Sequence, residues 1–301
     1  MVLKQKLFPP GSRRRLTVQY TRKLVEHGPK GAELFSPNNR FLARQFASFN
    51  IDCNICGKNS HLIYAPQFES ERAAQKVSLL RENLRCSECG SWQRIRLLGH
   101  ALISECNNGL DAGGISIEQL AGKLDRLDIL DTDTFGTIGK MLRGPKYKVS
   151  DYRPDLPPGE MSNGAYNVDL QKIPFADGSF DIILSTDVFE HIRDPRLAHR
   201  EVFRCLKPGG VHIFTVPFDR SAALTRPLID TSSSKDIFLE LPQIHGDSLT
   251  GGIVAYRIYG MDMLEMIRSA GFEVGMHAVS DAGHGIFSEI YFSARKPGKA
   301  I

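Results

Sequence analysis

Four of the six cysteines in this 301-residue chain occur as two Cys-x-x-Cys pairs, each followed directly by a glycine. The pairs are Cys53 with Cys56 and Cys86 with Cys89, and 29 residues separate them. This spacing lets both sulfurs of a pair reach one ion, and the glycine permits a tight turn around them. Two disulfides are disfavoured in a cytoplasmic chain, and a redox motif needs no second pair. The spacing therefore predicts a zinc ribbon whose four thiolates leave no open coordination position, so the zinc would be structural.

A second set of candidate residues consists of aspartates that follow predicted strands. Leu127–Leu130 is a predicted strand that ends at Asp131, and Tyr147–Ser150 is a second that ends at Asp151, twenty residues later. Ligands of open α/β sheets bind at the carboxyl ends of the strands, where such side chains would meet. An aspartate at the second position is typical of a carboxylate that binds ribose hydroxyls. Its alternative role is to cap the turn before Pro154.

The best-defined supersecondary unit lies in the middle of the chain. Phe180–Ser185 and Val211–Val216 are short apolar runs, as expected for strands that are buried on both faces. Between them, Pro195–Leu206 has helical spacing of apolar residues, and Pro208-Gly209-Gly210 predicts its end. A strand, a helix and a parallel strand form a βαβ unit, so the prediction is a doubly wound α/β sheet.

The order of these motifs resembles a class I S-adenosylmethionine (SAM)-dependent methyltransferase of the methyltransferase type 11 kind. The resemblance covers roughly residues 124–296 and implies a Rossmann-like, seven-stranded methyltransferase sheet. It includes a helix over Met261–Ser269 that leads into a late strand. The motifs that carry it are Asp169, Pro174–Asp181, Glu190-His191-Ile192, Leu206–Gly210 and Ser269–Val274.

The resemblance implies SAM as the cofactor and assigns roles to several residues. Asp169 would face the adenine amine and Leu170 would supply a backbone N–H, while Thr186 and Asp187 would line the methionine end. Turn or helix capping is the alternative role for these side chains. The predicted cofactor set also includes Asp131, Asp133, Gly136 and Asp151.

The turn after the first predicted strand departs from the family pattern. The family has several glycines there, whereas residues 131–137 read Asp-Thr-Asp-Thr-Phe-Gly-Thr and contain only Gly136. A rebuilt loop that still binds SAM, a shifted cofactor pose and a domain without catalysis are the competing interpretations. A subset of zinc-ribbon methyltransferase-like proteins is similar in this turn, which favours the first.

A general base would assist methyl transfer to a hydroxyl acceptor. His191 follows the fourth predicted strand, and His245 and Asp247 lie in the long segment 218–260, which would form an acceptor lid. These three residues are the predicted catalytic set, with His284 as a weaker candidate. Structural roles remain open, and His191 would then cap the helix that starts near Pro195.

Charge is distributed unevenly along the chain. Residues 1–50 carry ten Lys or Arg and two Glu, a net of +8, so the remainder carries −4 given the overall +4. The predicted organisation is a basic arm over 1–50, a zinc-ribbon module over 51–100 with a helical insertion at Arg72–Leu84, and a methyltransferase domain over 101–301. The sequence has no secretory signal and no apolar run of the roughly 18 residues that a membrane span needs, so a cytoplasmic location is predicted.

Three functions compete on these observations. The leading one is methyl transfer to a small-molecule or glycan acceptor, with O-methylation expected. An RNA methyltransferase is the alternative, because a zinc ribbon and a basic arm can bind RNA. Against it, the sequence has no interleaved aromatic and basic platform; Trp92, flanked by Arg94 and Arg96, is the nearest approach to one. A non-catalytic scaffold with a degenerate methyltransferase fold is the third. A homodimer is a further expectation.

Overall fold

The computed structural model describes residues 49–64, 81, 84–106, 116–133, 136–142, 144–245 and 252–298. The chain divides into two compact units. The first unit comprises the described residues up to Leu120 together with residues 278–290, and the second comprises residues 121–277 and those from 291 onward. The predicted arm over 1–50 lies outside the described residues except for Phe49 and Asn50. The three predicted domain boundaries remain predictions.

The first unit contains a small antiparallel sheet and a long helix. Its strands are β1 (Asn50–Asp52), β2 (Asn59–Tyr64) and β3 (Leu84–Cys86), in that order across the sheet. They are followed by helices α1 (Gln93–Cys106) and α2 (Ile117–Leu124), of which α2 begins in this unit. Of the predicted helical insertion at 72–84, only Arg81 and Leu84 are described, and Leu84 begins a strand. The core of the unit consists of buried aliphatic side chains: Ile51, Leu62, Leu84, Ile95, Leu98 and Leu102.

The second unit is organised around one large mixed sheet. In chain order its elements are β4 (Ile129–Asp131), α3 (Thr137–Met141), β5 (Tyr147–Asp151), β6 (Met161–Ser162), β7 (Ala165–Asn167), β8 (Phe180–Thr186), α4 (Pro195–Cys205) and β9 (Leu206–Thr215). After a long connection follow α5 (Met263–Arg268), β16 (Glu273–Asp281) and β17 (Ile286–Arg295). The outer parts of β16 and β17 belong to the first unit.

The order of strands across the sheet is β16-β17-β9-β8-β4-β5-β7-β6. The central pairs β9–β8, β8–β4, β4–β5 and β5–β7 are parallel, and β17 runs antiparallel to β9. The predicted doubly wound, Rossmann-like fold is confirmed. The sheet has eight strands rather than seven, because the two-residue strand β6 folds back antiparallel on β7 at one edge.

The βαβ unit explains how the sequence builds the centre of this sheet. Residues Ile182–Leu184 of β8 are completely buried, as expected for a strand covered on both faces. Helix α4 begins after Asp194, whose carboxylate accepts a hydrogen bond from the backbone N–H of Leu197 at 3.1 Å. The helix ends at Cys205, and β9 already begins at Leu206, before the proline and glycines that predicted the stop.

The connection between β9 and α5 contains three pairs of two-residue strands. β10 (Arg226–Pro227) pairs with β15 (Arg257–Ile258), β11 (Ile229–Asp230) with β12 (Ile237–Phe238), and β13 (Ile244–His245) with β14 (Ile253–Val254). This segment is the predicted acceptor lid. No described helix in the chain is both long enough and apolar enough to cross a membrane.

Candidate functional site

The carboxyl ends of the parallel strands bring several predicted site residues to one edge of the sheet. Asp131 at the end of β4 is in register with Val149 of β5 and Leu184 of β8. Asp151 and Thr186 each lie two residues beyond those partners, at the ends of their own strands. Ends of neighbouring parallel strands meet at the same edge, where ligands of open α/β sheets bind. The register therefore groups these side chains around one region.

Asp131 is the most deeply buried acidic residue of this edge, with 1% of its surface exposed. Its Oδ1 accepts a hydrogen bond from the backbone N–H of Asp133 at 3.0 Å, and its Oδ2 accepts one from the Tyr147 hydroxyl. Burial and the nearby Asp133 carboxylate raise the pKa of Asp131 to about 7. Both oxygens are engaged by protein donors, so Asp131 can position the turn after β4.

The turn after β4 lacks the expected glycines, and its described residues show how it is arranged. The backbone N–H of Gly136 donates to the Asp133 carbonyl at 3.4 Å, and Gly136 precedes helix α3. A Cβ at position 136 would lie 2.9 Å from Asp133 Oδ2, so a larger residue there would require the Asp133 side chain to shift. Thr134 and Phe135 lie outside the described residues.

Two threonine hydroxyls are candidate ligand contacts at this edge. Among the described residues, the buried Oγ1 atoms of Thr132 and Thr186 have no hydrogen-bond partner. Thr132 follows β4 and its backbone N–H donates to the Leu184 carbonyl at 3.1 Å, which places it beside the end of β8. A buried hydroxyl without a partner costs free energy, and a bound polar ligand would relieve that cost. The sequence predicted Thr186 as a site residue but not Thr132. The one sequence feature that could have indicated Thr132 is its position directly after Asp131, the aspartate that ends a predicted strand.

Asp151 and Asp169 follow the next two strands along the sheet. Asp151 Oδ1 accepts a hydrogen bond from the backbone N–H of Tyr152 at 2.8 Å, and the Asp151 carbonyl accepts one from Val168. Asp169 Oδ1 accepts hydrogen bonds from the backbone and side chain of Gln171 at 2.8 and 3.3 Å. Asp169 thus stabilises its own turn, and the neighbouring Leu170 is buried.

Asp187 has a backbone conformation that is unusual for a residue with a side chain. Its φ is 53°, in the left-handed region. Its backbone N–H donates to the Thr215 carbonyl and its Oδ1 accepts from the Thr215 hydroxyl, both at 3.0 Å. These contacts bind the end of β8 to the end of β9. Left-handed residues other than glycine cluster at functional sites, where the surroundings hold them in place.

His191 lies in a 3-10 helix, Phe189–His191, just beyond this edge. Its Nδ1 is 2.8 Å from the carbonyl oxygen of Val254 in the lid, and its Nε2 is 3.6 Å from Glu190 Oε1. A carbonyl oxygen only accepts, so Nδ1 carries the proton, and Nε2 of a neutral imidazole carries the lone pair. Asp194 caps helix α4, so His191 does not have that alternative role.

Arg257 connects the lid to the same 3-10 helix. It is 8% exposed, and its guanidinium donates to the carbonyls of Phe189 at 3.3 Å, Ile192, and Arg193 at 2.9 Å. The Tyr259 hydroxyl also donates to the Phe189 carbonyl, at 3.0 Å. The lid is thus attached to the segment that contains His191. Of the other predicted catalytic residues, Asp247 lies outside the described residues, and His245 is described only by its backbone in β13.

The four predicted metal ligands come together in the first unit. The sulfurs of Cys53, Cys56, Cys86 and Cys89 all lie within 4.8 Å of one another. The two knuckles have the same backbone pattern: Gly57 N–H donates to the Cys53 carbonyl at 2.8 Å, and Gly90 N–H donates to the Cys86 carbonyl at 3.0 Å. Both glycines have positive φ, 65° and 72°, as the tight turn requires.

The spacing of the sulfurs fits a tetrahedral zinc ion. Cys53 Sγ and Cys89 Sγ are 3.7 Å apart. A tetrahedral site with zinc–sulfur bonds of about 2.3 Å separates its sulfurs by about 3.8 Å. Hydroxyl groups also surround the thiols, with Ser60 Oγ 3.3 Å from Cys86 Sγ and Ser91 Oγ 3.3 Å from Cys89 Sγ.

Comparisons with known proteins relate part of the second unit to methyltransferase domains. Residues 157–214 match the sequence model of the family described as a methyltransferase domain. The chain is 44% identical over 43 residues to an uncharacterized methyltransferase of Mycobacterium sp. (strain KMS), covering 14% of this chain and 17% of that protein. It is 36% identical over 64 residues to a sarcosine/dimethylglycine N-methyltransferase of Halorhodospira halochloris, covering 20% of this chain and 23% of that protein.

Solved structures with a similar fold include two SAM-dependent methyltransferases. The one from Mesorhizobium loti has a TM-score of 0.38 at 17% identity and covers 60% of this chain and 98% of its own. The one from Methanosarcina mazei has a TM-score of 0.35 at 17% identity and covers 57% and 93%. The chain spans less than a quarter of the length of the first three curated relatives, at 17%, 23% and 17%, so its activity and substrate do not follow from theirs.

The second unit has a Rossmann-like sheet, part of which matches a methyltransferase domain. Its mixed sheet is parallel at the centre, and the family match at 157–214 extends from just before β6 nearly to the end of β9. The candidate site lies at the carboxyl edge of the strands in and beside that match.

Proposed function

We propose that the second unit transfers a methyl group from SAM to a small-molecule or sugar-type acceptor, with oxygen as the methylated atom. The observation that carries this proposal is the register of the parallel strands. It groups Asp131, Asp151 and Thr186 at one sheet edge, within a domain of the methyltransferase class. A nucleoside cofactor binds at such an edge, with a carboxylate on its ribose hydroxyls.

The cofactor roles follow from the position of each residue along the edge. Asp151 would bind the ribose hydroxyls, and Asp169 with Leu170 would contact the adenine. Asp187 and the Thr132 and Thr186 hydroxyls would face the methionine end, where acidic groups favour a positive sulfonium. Asp131, Asp133 and Gly136 would shape the rebuilt turn. They stand where the family has the glycines that let the backbone approach the cofactor. When bound, SAM supplies an electrophilic methyl group on that sulfonium.

His191 is the proposed general base for a hydroxyl acceptor. Its Nδ1 is held by the Val254 carbonyl at 2.8 Å, which leaves the lone pair of the neutral ring on Nε2. Nε2 would take the proton that the acceptor hydroxyl loses, and Glu190, 3.6 Å away, would stabilise the resulting positive ring. His245 and Asp247 stay in the proposal as predicted contributors from the lid.

RNA as the acceptor is the second candidate, and one contact in the first unit weakens it. Arg96, one of the two arginines that flank Trp92, is fully buried and donates to the carbonyls of Leu84, Ser91 and Gly285. A fully buried guanidinium that donates to three carbonyls is not accessible to a phosphate group. Salt-sensitive RNA binding by the whole chain, lost on deletion of residues 1–50, would favour RNA over the small-molecule acceptor.

We also propose that the four cysteines of the first unit hold one structural zinc ion. The matched knuckles and the 3.7 Å sulfur separation support it, and four thiolates leave no position for a catalytic water. A cytoplasmic location and a homodimer remain predictions of the sequence.

Calorimetry with SAM and with its demethylated product tests the cofactor assignment. The wild-type chain should bind one equivalent, and Asp151→Asn should weaken binding about tenfold, or about 1.4 kcal/mol. Asp155→Asn is the matched control, an exposed aspartate four residues later that should leave affinity unchanged. If the zinc-loaded wild-type chain binds neither compound, the scaffold hypothesis replaces both enzyme hypotheses.

The role of His191 requires a separate measurement. His191→Gln should retain SAM affinity but lower turnover on the acceptor by about 10²- to 10⁴-fold, the usual contribution of general base catalysis. Candidate acceptors with and without a free hydroxyl would be screened by transfer of labelled methyl groups. Normal turnover of His191→Gln on an accepted hydroxyl compound would exclude the histidine as base, whatever the calorimetry shows.

A further inference from the structure

A second group of metal-binding side chains lies in the first unit, apart from the four cysteines. It consists of His100, Asp281 and His284, whose ligand atoms all lie within 4.8 Å of one another. Asp281 Oδ2 and His284 Nδ1 are 2.6 Å apart. All three side chains are partly buried, so the cluster is accessible to ions from solvent.

The three residues come from helix α1 and from the hairpin formed by β16 and β17, which a buried arginine connects. His100 is on α1, while Asp281 ends β16 and His284 lies in the turn before β17. Arg96 lies four residues before His100 and therefore on the same helix face. Its fully buried guanidinium donates to the Gly285 carbonyl at 3.0 Å. The turn is thus held against the helix beside His100, and the cluster is positioned by the fold itself.

The local backbone also fixes the turn that presents Asp281 and His284. The His284 N–H donates to Asp281 Oδ1 at 3.2 Å, and the Gly285 N–H donates to the Ala282 carbonyl at 3.1 Å. Gly285 has a φ of 70°, and a Cβ there would lie 3.3 Å from the Arg96 guanidinium. Glycine at position 285 suits this φ, and a larger residue would also require the Arg96 side chain to shift by a few tenths of an ångström.

We propose that His100, Asp281 and His284 bind a divalent transition-metal ion, with zinc as the best match. Two imidazoles and one carboxylate suit zinc and similar ions, whereas magnesium and calcium prefer oxygen ligands alone. The ion would replace the proton between Asp281 and His284. Tetrahedral bonds of about 2.1 Å place ligand atoms about 3.4 Å apart, so Asp281 Oδ2 and His284 Nδ1, now 2.6 Å apart, would separate by about 0.8 Å.

The site differs in kind from the four-thiolate site. Three protein ligands leave one coordination position for water or for a ligand of a partner molecule. The ion would connect helix α1 to the turn between β16 and β17 within the first unit. Neither the proposed methyl transfer nor the structural zinc uses these residues.

Cobalt titration of the full chain separates the two sites. Cobalt bound by thiolates gives intense charge-transfer absorption, and cobalt bound by imidazole and carboxylate gives only weak visible bands. The wild-type chain should bind two equivalents, one with each signature, and metal analysis after zinc loading should find two zinc ions. One equivalent in the wild-type chain would overturn the proposal.

Three variants test the ligands individually. His100→Gln, Asp281→Asn and His284→Gln should each weaken the second equivalent by about 100-fold or more, while the thiolate band persists as a test of folding. Asp281→Asn is the sharpest, because its amide oxygen can still accept from the His284 N–H and preserve the turn. His61→Gln, at an exposed position of the same unit, is the control and should bind both ions. Unchanged binding of the second ion in the variants that retain the thiolate band would refute the assignment.

Discussion

The Tyr147 hydroxyl donates a hydrogen bond to Oδ2 of Asp131, which joins two parallel strands at the edge of the candidate cofactor site. Tyr147 begins β5 and pairs in register with Ile129, two residues before Asp131 on β4. The bond lowers the pKa of Asp131, although burial and Asp133 still raise it to about 7. The turn that replaces the family's glycines is thus anchored by a buried aspartate and a tyrosine.

Tyr147→Phe should therefore destabilise the second unit in a pH-dependent way. Removing the donor leaves a buried carboxyl group with one partner fewer, which costs about 1–3 kcal/mol of unfolding free energy. The cost should be larger at pH 8 than at pH 5, because Asp131 is ionised above its pKa of about 7 and a carboxylate needs the donor more. Urea unfolding at both pH values measures the difference. Tyr152→Phe, at a 55% exposed position, is the control, and equal costs for the two variants would contradict this account.

Arg257→Met should destabilise the lid and the segment that contains His191. The buried guanidinium of Arg257 donates to three carbonyls, so its loss should cost about 2–4 kcal/mol. The matched control is Arg226→Met on the neighbouring strand β10: Arg226 pairs with Glu240 at the surface, and its loss should cost at most about 1 kcal/mol. Urea unfolding compares the two, and limited proteolysis should cleave residues 218–260 faster in Arg257→Met alone. If the two variants lose similar amounts of unfolding free energy, the hydrogen bonds of Arg257 contribute little to stability.

His199→Phe should make the domain less sensitive to acid. His199 is buried against Phe189, with ring centroids 4.4 Å apart, and burial lowers its pKa to about 3. The folded state thus keeps His199 neutral while the unfolded state protonates it below about pH 6.5. The contribution of neutral His199 to the free energy of unfolding is complete above about pH 6.5. It is lost as the pH falls from there toward 3.

The difference between wild type and His199→Phe isolates this effect. The raised pKa of Asp131 acts in the opposite direction over much of the same range, and the pKa of the buried His212, lowered by burial and by His199, acts in the same direction; both groups are present in both proteins. Below about pH 6.5 the variant should gain about 1.4 kcal/mol per pH unit over wild type. Unfolding at pH 8, where His199 is neutral in both states, gives the packing difference alone. A difference that stays constant from pH 8 to pH 4 would contradict the prediction.

Removal of the proposed structural zinc should be visible through Trp92, the single tryptophan of the chain. The Arg85 guanidinium lies 3.5 Å from the centre of the Trp92 ring; Arg85 directly precedes Cys86, and Trp92 follows Cys89 by three residues. Cys86→Ser or a strong chelator should remove the ion and change the tryptophan fluorescence, because both residues flank that knuckle. Cys106→Ala, at a cysteine outside the pairs, should retain zinc and fluorescence. Full zinc occupancy in Cys86→Ser would exclude a four-cysteine site.

The order of motifs in the sequence predicted the class of the fold because each element has a local signature. Apolar runs marked β8 and most of β9, Asp194 and Pro195 mark the start of α4, and the spacing of Cys53 and Cys56 marks a knuckle. The predicted bounds differ by a few residues, as at β9, because strand pairing rather than turn chemistry decides where a strand begins. Strand β6 was missed because a two-residue strand has no periodicity.

The partners of individual side chains depended on the tertiary structure. Residues far apart in the chain meet in the contacts of Arg96 with Gly285, of His191 with Val254, and of His100 with His284. Periodicity assigns a residue to a face of an element but does not say what packs on that face. Arg96 shows the consequence: its place beside Trp92 made it part of the nearest approach to an RNA-binding platform, whereas the fold buries it as a hydrogen-bond donor to three carbonyls. Local chemistry therefore determined the elements and their order, and long-range packing decided which side chains became a site.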